Sequence, residues 1–170
     1  MDVTGAHERP AGGGNSVSVR YTVVNEHFKP EYLPQYASAG AAGMDLHACL
    51  PEALVIHPME RSRIPTGIAM QLPDSGFVGL VYARSGLAWR HGIALPNGVG
   101  VIDSDYTGEI QVLLTNFSDA PVTISPGDRI AQLVIAPVYL ARWMQTDSLL
   151  KTDRGEGGFG STGIAPSRDF

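Results

Sequence analysis

The chain has 170 residues, 44% hydrophobic and 17% charged, an ordinary globular mix with enough length for one domain and a real core. A net charge of −5 with unclustered cations speaks against a nucleic-acid polymer as partner, yet a few placed arginines can still hold a small anion. The single cysteine, Cys49, rules out an internal disulfide framework and reads as a small buried hydrophobe, and no apolar run approaches the ~18 residues of a membrane-spanning helix.

Residues 1–16, "MDVTGAHERPAGGGNS", are polar and Gly-rich, with Asp2 and Glu8 and no apolar segment of the kind a secretory signal requires. They are expected to form a disordered leader on an intracellular, cytoplasmic protein. Short β-branched or alternating runs follow: "VSVRYTVV", "ALVIH", "GIAMQL", "FVGLVYA", "IQVLLTN", "VTI" and "RIAQLVIAPVYL". Pro, Gly, Asn and Asp punctuate them at roughly the 8–12-residue spacing of sandwiches and barrels. Val17, Val19, Tyr21 and Val23 alternate with Ser18, Arg20 and Thr22, which predicts a half-buried strand. The run after Arg129 is more continuously apolar and predicts a strand covered on both faces. The fold expected over residues 17–141 is all-β, a jelly roll or barrel, with one short helix at "SGLAWRHG", Ser85 as its N-cap and Gly92 as its stop. Over residues 142–170 the pattern thins into a C-terminal arm.

Five stretches depart from plain strand logic. In "AGAAGMDLHA" (39–48), Asp45 lies among apolar neighbours, where a carboxylate needs a hydrogen bond or a cation; it equally reads as an Asp satisfying turn amides. In "ARSGLAWRHG" (83–92), Arg84 precedes Ser85 and Gly86 at a helix start, where free amides and a guanidinium suit anionic oxygens. In "LPNGVGVIDSDYTGEI" (95–110), Asn97-Gly98 is a strong hairpin signal, beyond which Asp103 and Asp105 share a face if the strand is regular. Either carboxylate suits a general base acting on water, and the alternative is two solvent-facing aspartates. Tyr106 beside them suits the floor under a sugar, and Asn97 with extended backbone suits a nucleobase edge.

In "PGDRIAQLVI" (126–135), Gln132 needs a partner inside an apolar strand, while Asp128 and Arg129 read as a pair that ties structure together. In "RGEGGFGSTG" (154–163), a cation and an aromatic ring sit in a stretch whose glycines favour mobility; the spacing is not that of a Walker A loop.

Taken together and in this order, the five stretches resemble motifs one to five of the trimeric dUTPases, and the resemblance runs from about residue 39 to residue 163. It implies a homotrimer of distorted jelly-roll subunits with sites at the subunit interfaces, splitting dUTP into dUMP and pyrophosphate with Mg²⁺. Asp103 would be the base for the attacking water, with Asp105 a neighbouring acidic position. Tyr106 would pack on the deoxyribose and reject ribonucleotides. Asn97 and the backbone from Val101 through Ile102 to Asp103 would pair with uracil. Arg84, Ser85, Gly86 and Gln132 would hold phosphates, and Asp45 would contact the metal through a water. Arg154 would reach the γ-phosphate, Phe159 would stack on uracil, and Gly160 and Ser161 would add phosphate contacts. These four make residues 154–163 a lid, disordered without nucleotide.

Three positions depart from the commonest family pattern. Ala83 stands where many relatives carry proline, and Trp89-Arg90 where a lysine-containing pair is frequent. Two rival readings carry different chemistry. A dCTP deaminase, similar in fold, would use a glutamate near the third motif, and Glu109 stands there. A non-catalytic nucleotide-sensing trimer would keep the site without turnover.

Overall fold

The structure, a computed structural model, describes residues 16–158. Phe159, Gly160, Ser161 and all but the last residue of the leader lie outside the described residues. The chain divides into two units, one running to Tyr139 and the other starting at Leu140.

The first unit is built almost entirely of strands: β1 (Arg20–Val23), β2 (Met44–His47), β3 (Leu54–Ile56), β4 (Arg61–Gln71), β5 (Phe77–Ala83), β6 (Ile93–Ala94), β7 (Gly100–Ile102), β8 (Glu109–Asn116), β9 (Val122–Ile124) and β10 (Arg129–Pro137). Among the described residues, one helix, α1 (Ser85–His91), and a 3₁₀ turn at Pro30–Tyr32 complete it. One four-stranded sheet has the order β1-β4-β8-β6, a second has the order β2-β10-β5-β7, and β3 pairs with β9. This is the expected all-β, jelly-roll-like subunit. Its core is aliphatic: Leu46, Ile56, Ile64, Ile93, Leu114, Ile124 and Ile130 are all under 2% exposed. The alternation of β8, with Ile110, Val112 and Leu114 buried and Gln111 and Leu113 exposed, places one face on that core.

Four local expectations fail, each for a physical reason. The strand at 17–24 is only Arg20–Val23, an edge strand whose four residues are all exposed, so neither of its faces packs on the core of its own subunit. β4 begins at Arg61, whereas the sequence run "GIAMQL" placed its start at Gly67. The Pro65-Thr66-Gly67 segment reads as a break, but it is a bulge inside one strand, with Gly67 at φ 81° and a register shift between Pro65 and Ala69. A Cβ on Gly67 would come within 2.7 Å of the Cys49 sulfur, so glycine is required there twice over. Proline is tolerated because β1 pairs only with Ile68–Gln71, leaving Pro65 beyond the ladder on that side.

The helix cap is Arg84, in extended conformation and without a side-chain cap bond, so Ser85 is the first helical residue and not the N-cap. Gly92 does end the helix, left-handed at φ 65°. Finally, Asn97-Gly98 makes a turn, closed by Gly98 N–H donating to the Leu95 carbonyl at 3.0 Å, but no hairpin. The flanking β6 and β7 pair with β8 and β5, in different sheets.

β10 meets its expectation only in part: it lies between β2 and β5 with Ile130, Ala131 and Leu133 buried, but Gln132, Val134, Ile135 and Ala136 are only half-buried. Cys49 is fully buried, and burial followed by the Glu109 charge pushes its thiol pKa up, as for an inert thiol.

In the second unit, residues 140–158 contain neither helix nor strand. Local turns organise it: Gly155 N–H donates to the Thr152 carbonyl and Gly157 N–H to the Arg154 carbonyl, both at 3.0 Å.

Candidate active site

The chain crosses from β6 into β7 by the Asn97-Gly98 turn and leaves β7 by a second turn, in which Tyr106 N–H donates to the Asp103 carbonyl at 3.1 Å. Asp103 and Asp105 therefore sit on a turn and not on the regular strand that would put them on one face. Between the two turns opens a cavity of about 240 Å³, lined by Asn97, Gly100, Val101, Ile102, Asp103 and Tyr106 and backed by Glu109–Leu113. Asn97, Val101, Ile102, Asp103 and Tyr106, all expected to act together, are thus assembled around one cavity by local chain geometry. Ile102 anchors the strand in the core, while Val101, Asp103 and Tyr106 remain exposed.

Glu109 buttresses this cavity. Its carboxylate accepts from Gly67 N–H at 2.9 Å and from Gln111 Nε2 at 2.9 Å, and its carbonyl accepts the Tyr106 hydroxyl at 2.9 Å.

A second constellation lies elsewhere on the unit. Asp45, on β2 and 8% exposed, has Oδ1 3.0 Å from Arg84 Nε and Oδ2 3.3 Å from Arg129 Nη1. Arg84 Nη1 also donates to the Arg129 carbonyl at 3.1 Å. The cation that a carboxylate in this small-residue segment requires is therefore a pair of guanidiniums. Arg129 is the partner that sequence reasoning missed, since nothing local marks a pairing across 84 residues. It does not pair with Asp128, as the sequence reading had it. Asp128 instead accepts from Ser125 N–H at 2.7 Å and closes its own turn. Gln132 stands opposite Asp45 in the β10–β2 register and opposite Tyr82 in the β10–β5 register. Ser85 and Gly86, next to Arg84, are exposed, and as first-turn residues their amides lack helical acceptors.

His47 stacks on Tyr32 with ring centroids 5.9 Å apart. Burial above all lowers its pKa, opposed by its hydrogen bond to the Tyr32 backbone and by the Asp45 charge, and helped by Arg129 and Arg84.

Replacing Asp45 by alanine leaves two guanidiniums facing each other without a counter-charge. With Arg129 half exposed, the expected loss of stability is about 2–3 kcal/mol, below the figure for a fully buried pair. Urea unfolding measures it, and a change under about 0.5 kcal/mol, the range of an ordinary surface substitution, would show the triad to be idle.

Among the described residues no group of three or more His, Cys, Asp or Glu side chains could hold a metal. The Asp45–Arg84 pair is close but misaligned: Asp45 Oδ1 and Arg84 Nε are both buried without a hydrogen bond, so Oδ1 keeps acceptor capacity. Such a donor set does not fit a protein cage, and leaves an ion to be held by phosphates and waters.

Within these constellations, Asp103 and Arg84 stand toward opposite ends of β5. Gly100–Ile102 pairs with Val81–Gly79, so Asp103 follows toward the Phe77 end, while Arg84 follows the Ala83 end. At ~3.3 Å per residue about 20 Å of strand separates them. Arg154 belongs to the second unit, where its Nε donates to the Gly157 carbonyl at 2.9 Å.

Fold and cavity are those of a jelly-roll subunit with a polar site built on strand-end turns. A sequence model of the dUTPase family matches residues 29–163. The deoxyuridine 5'-triphosphate nucleotidohydrolase of Desulfitobacterium hafniense is 50% identical over 151 residues, covering 89% of this chain and 99% of that protein. The enzyme of the same name from Neisseria meningitidis is 46% identical over 149 residues, covering 88% and 99%. Among solved structures, a mutant dUTPase of a Staphylococcus bacteriophage with dUpNHpp superposes with a TM-score of 0.77 at 25% identity, covering 86% of this chain and 99% of that one. The chain belongs to the dUTPase family, the dUTP diphosphatases.

Proposed function

We propose that the protein hydrolyses dUTP to dUMP and pyrophosphate by attack of water on the α-phosphorus, keeping uracil out of DNA and supplying dUMP for thymidylate synthesis. The observation that carries this reading is the gathering of Asn97, Asp103 and Tyr106 around one cavity in a chain of this family. Asn97 and the β7 backbone at Val101 and Ile102 pair with the uracil edge, and the closeness of that backbone excludes a 5-methyl group. Cytosine would leave buried donors and acceptors mismatched, which is a source of strong discrimination. Tyr106 packs on the deoxyribose, leaving no space for a 2′-hydroxyl. Asp103, exposed at the turn, takes a proton from the attacking water.

Arg84, with the Ser85 and Gly86 amides and Gln132, holds the phosphates, and Asp45 fixes Arg84 in place. Mg²⁺, carried by the phosphates with a water reaching Asp45, would neutralise charge as pyrophosphate departs. Arg154, Phe159, Gly160 and Ser161 close over the nucleotide from the 154–163 segment of the arm, 142–170.

The separation of Asp103 from Arg84 along β5 supports sites shared between subunits, one dUTP meeting the base of one subunit and the guanidinium of another, and the homotrimer proposed is the assembly that the family resemblance implies. Among the described residues no helix is long and apolar enough to cross a membrane, and the setting proposed is the cytoplasm.

The rival deaminase chemistry requires a glutamate free to shuttle protons. Both Glu109 oxygens are instead engaged, by Gly67 and Gln111, which favours hydrolysis. The test is product analysis with dUTP and dCTP: pyrophosphate from dUTP and no ammonia from dCTP is expected, and ammonia release from dCTP would overturn the proposal.

A further inference from the structure

Gly108 has no assigned part in the site, yet its missing side chain is filled by Tyr106. A Cβ built at Gly108 would stand 2.6 Å from the Tyr106 hydroxyl oxygen, 2.7 Å from Cζ and 3.1 Å from Cε2. Real Cβ atoms do not approach ring atoms so closely, and these atoms belong to a side chain with only two rotatable bonds. Gly108 does not have a positive φ, so the backbone itself does not call for glycine. The requirement is for space: the ring folds back over its own chain, against Gly108, to reach the Glu109 carbonyl at 2.9 Å. That carbonyl is held in turn, because the Glu109 carboxylate is tied to Gly67 on the β4 bulge and to Gln111 along β8.

We infer that Gly108 is a positioning residue for sugar selection: it admits the Tyr106 ring to a fixed seat whose far end is the Glu109 carbonyl. The inference rests on the proposed role of Tyr106 against the deoxyribose. A ring that is 47% exposed has no core to fix it, and without the seat its position is not held. A wall that swings does not discriminate between a hydrogen and a hydroxyl at the 2′ carbon.

The experiment is the ratio of kcat/KM for dUTP to that for UTP in the wild type and four variants. In Gly108→Ala the ratio is expected to fall about 10-fold or more, chiefly through a rise in KM for dUTP and a gain on UTP, as a displaced contact group implies. Tyr106→Phe keeps the ring and removes the tether, and should lower the ratio by about 3-fold, a hydrogen bond's share. Tyr106→Ala removes the wall, and Gly108→Ala added to it should change the ratio no further. A wild-type ratio in Gly108→Ala, or in Tyr106→Phe should the glycine variant not fold, overturns the inference. So does a further loss in the double variant, which would mean that Gly108 acts through something other than Tyr106. Failure of the underlying reading looks different: Tyr106→Ala itself would then discriminate as the wild type does.

Discussion

Asp103→Asn is expected to bind dUTP with near-normal affinity and to lose turnover by about 100- to 10,000-fold, the usual share of a positioned general base. The carboxylate is exposed on a turn, and no hydrogen bond or ion pair of its side chain supports the fold among the described residues. The amide is its near-isostere, so the turn closed by the Asp103 carbonyl and the cavity wall should both survive. Asp105→Asn is the internal control, since both aspartates lie on the same exposed turn and only Asp103 lines the cavity. Its kcat should stay within about 3-fold of the wild type, because a charge that does not touch the reacting atoms contributes little when exposed. Near-normal kcat in Asp103→Asn, or equal losses in the two variants, would remove the base assignment. Binding is followed with a non-hydrolysable dUTP analogue, so that affinity and turnover are read separately.

Removal of residues 154–170 should cost kcat about 100-fold or more, while the melting temperature stays within about 2 °C. The asymmetry follows from where the stabilising contacts are. Among the described residues, the apolar core and the side chains packed against it end at Ile135. Residues 152–157 are held by turn hydrogen bonds among themselves. The catalytic cost follows from what the segment carries, a fixed cation at Arg154 and a ring at Phe159, which would exclude water and orient the α-phosphorus on closing. Circular dichroism melts beside steady-state rates make the comparison. Parallel loss of stability and activity would mean that the arm belongs to the fold, and unchanged kcat would mean that it does not close on the nucleotide.

Sequence order alone located β5 and β9 to the residue, because "FVGLVYA" and "VTI" are bounded on both sides by turn formers. It failed where a turn former sits inside a strand or between two sheets. Pro65 and Gly67 punctuate the text of the sequence but only bulge the strand, since the edge partner starts after them. Asn97-Gly98 carries the local chemistry of a hairpin, yet which strand each arm pairs with is settled by burial of Ile93 and Ile102 in different sheets. Ser85 looked like a cap because its side chain suits one, while the backbone turns one residue earlier, at Arg84.

The candidate site was legible in parts. Asn97, Val101, Ile102, Asp103 and Tyr106 are close in sequence, and two turns suffice to gather them. The ties of Asp45 to Arg84 and Arg129 span three strands and could only be read as a carboxylate in need of a cation. Gly108 left no signal at all, for a glycine after a turn is unremarkable until the ring that fills its space is seen.

The central claim is that water attacks the α-phosphorus of dUTP. Turnover in water enriched in heavy oxygen, followed by mass spectrometry of both products, tests it most directly. One labelled oxygen in the phosphate of dUMP and none in pyrophosphate is the expected result. Label in pyrophosphate would place the attack on the β-phosphorus and contradict the roles given to Asp103 and Arg84.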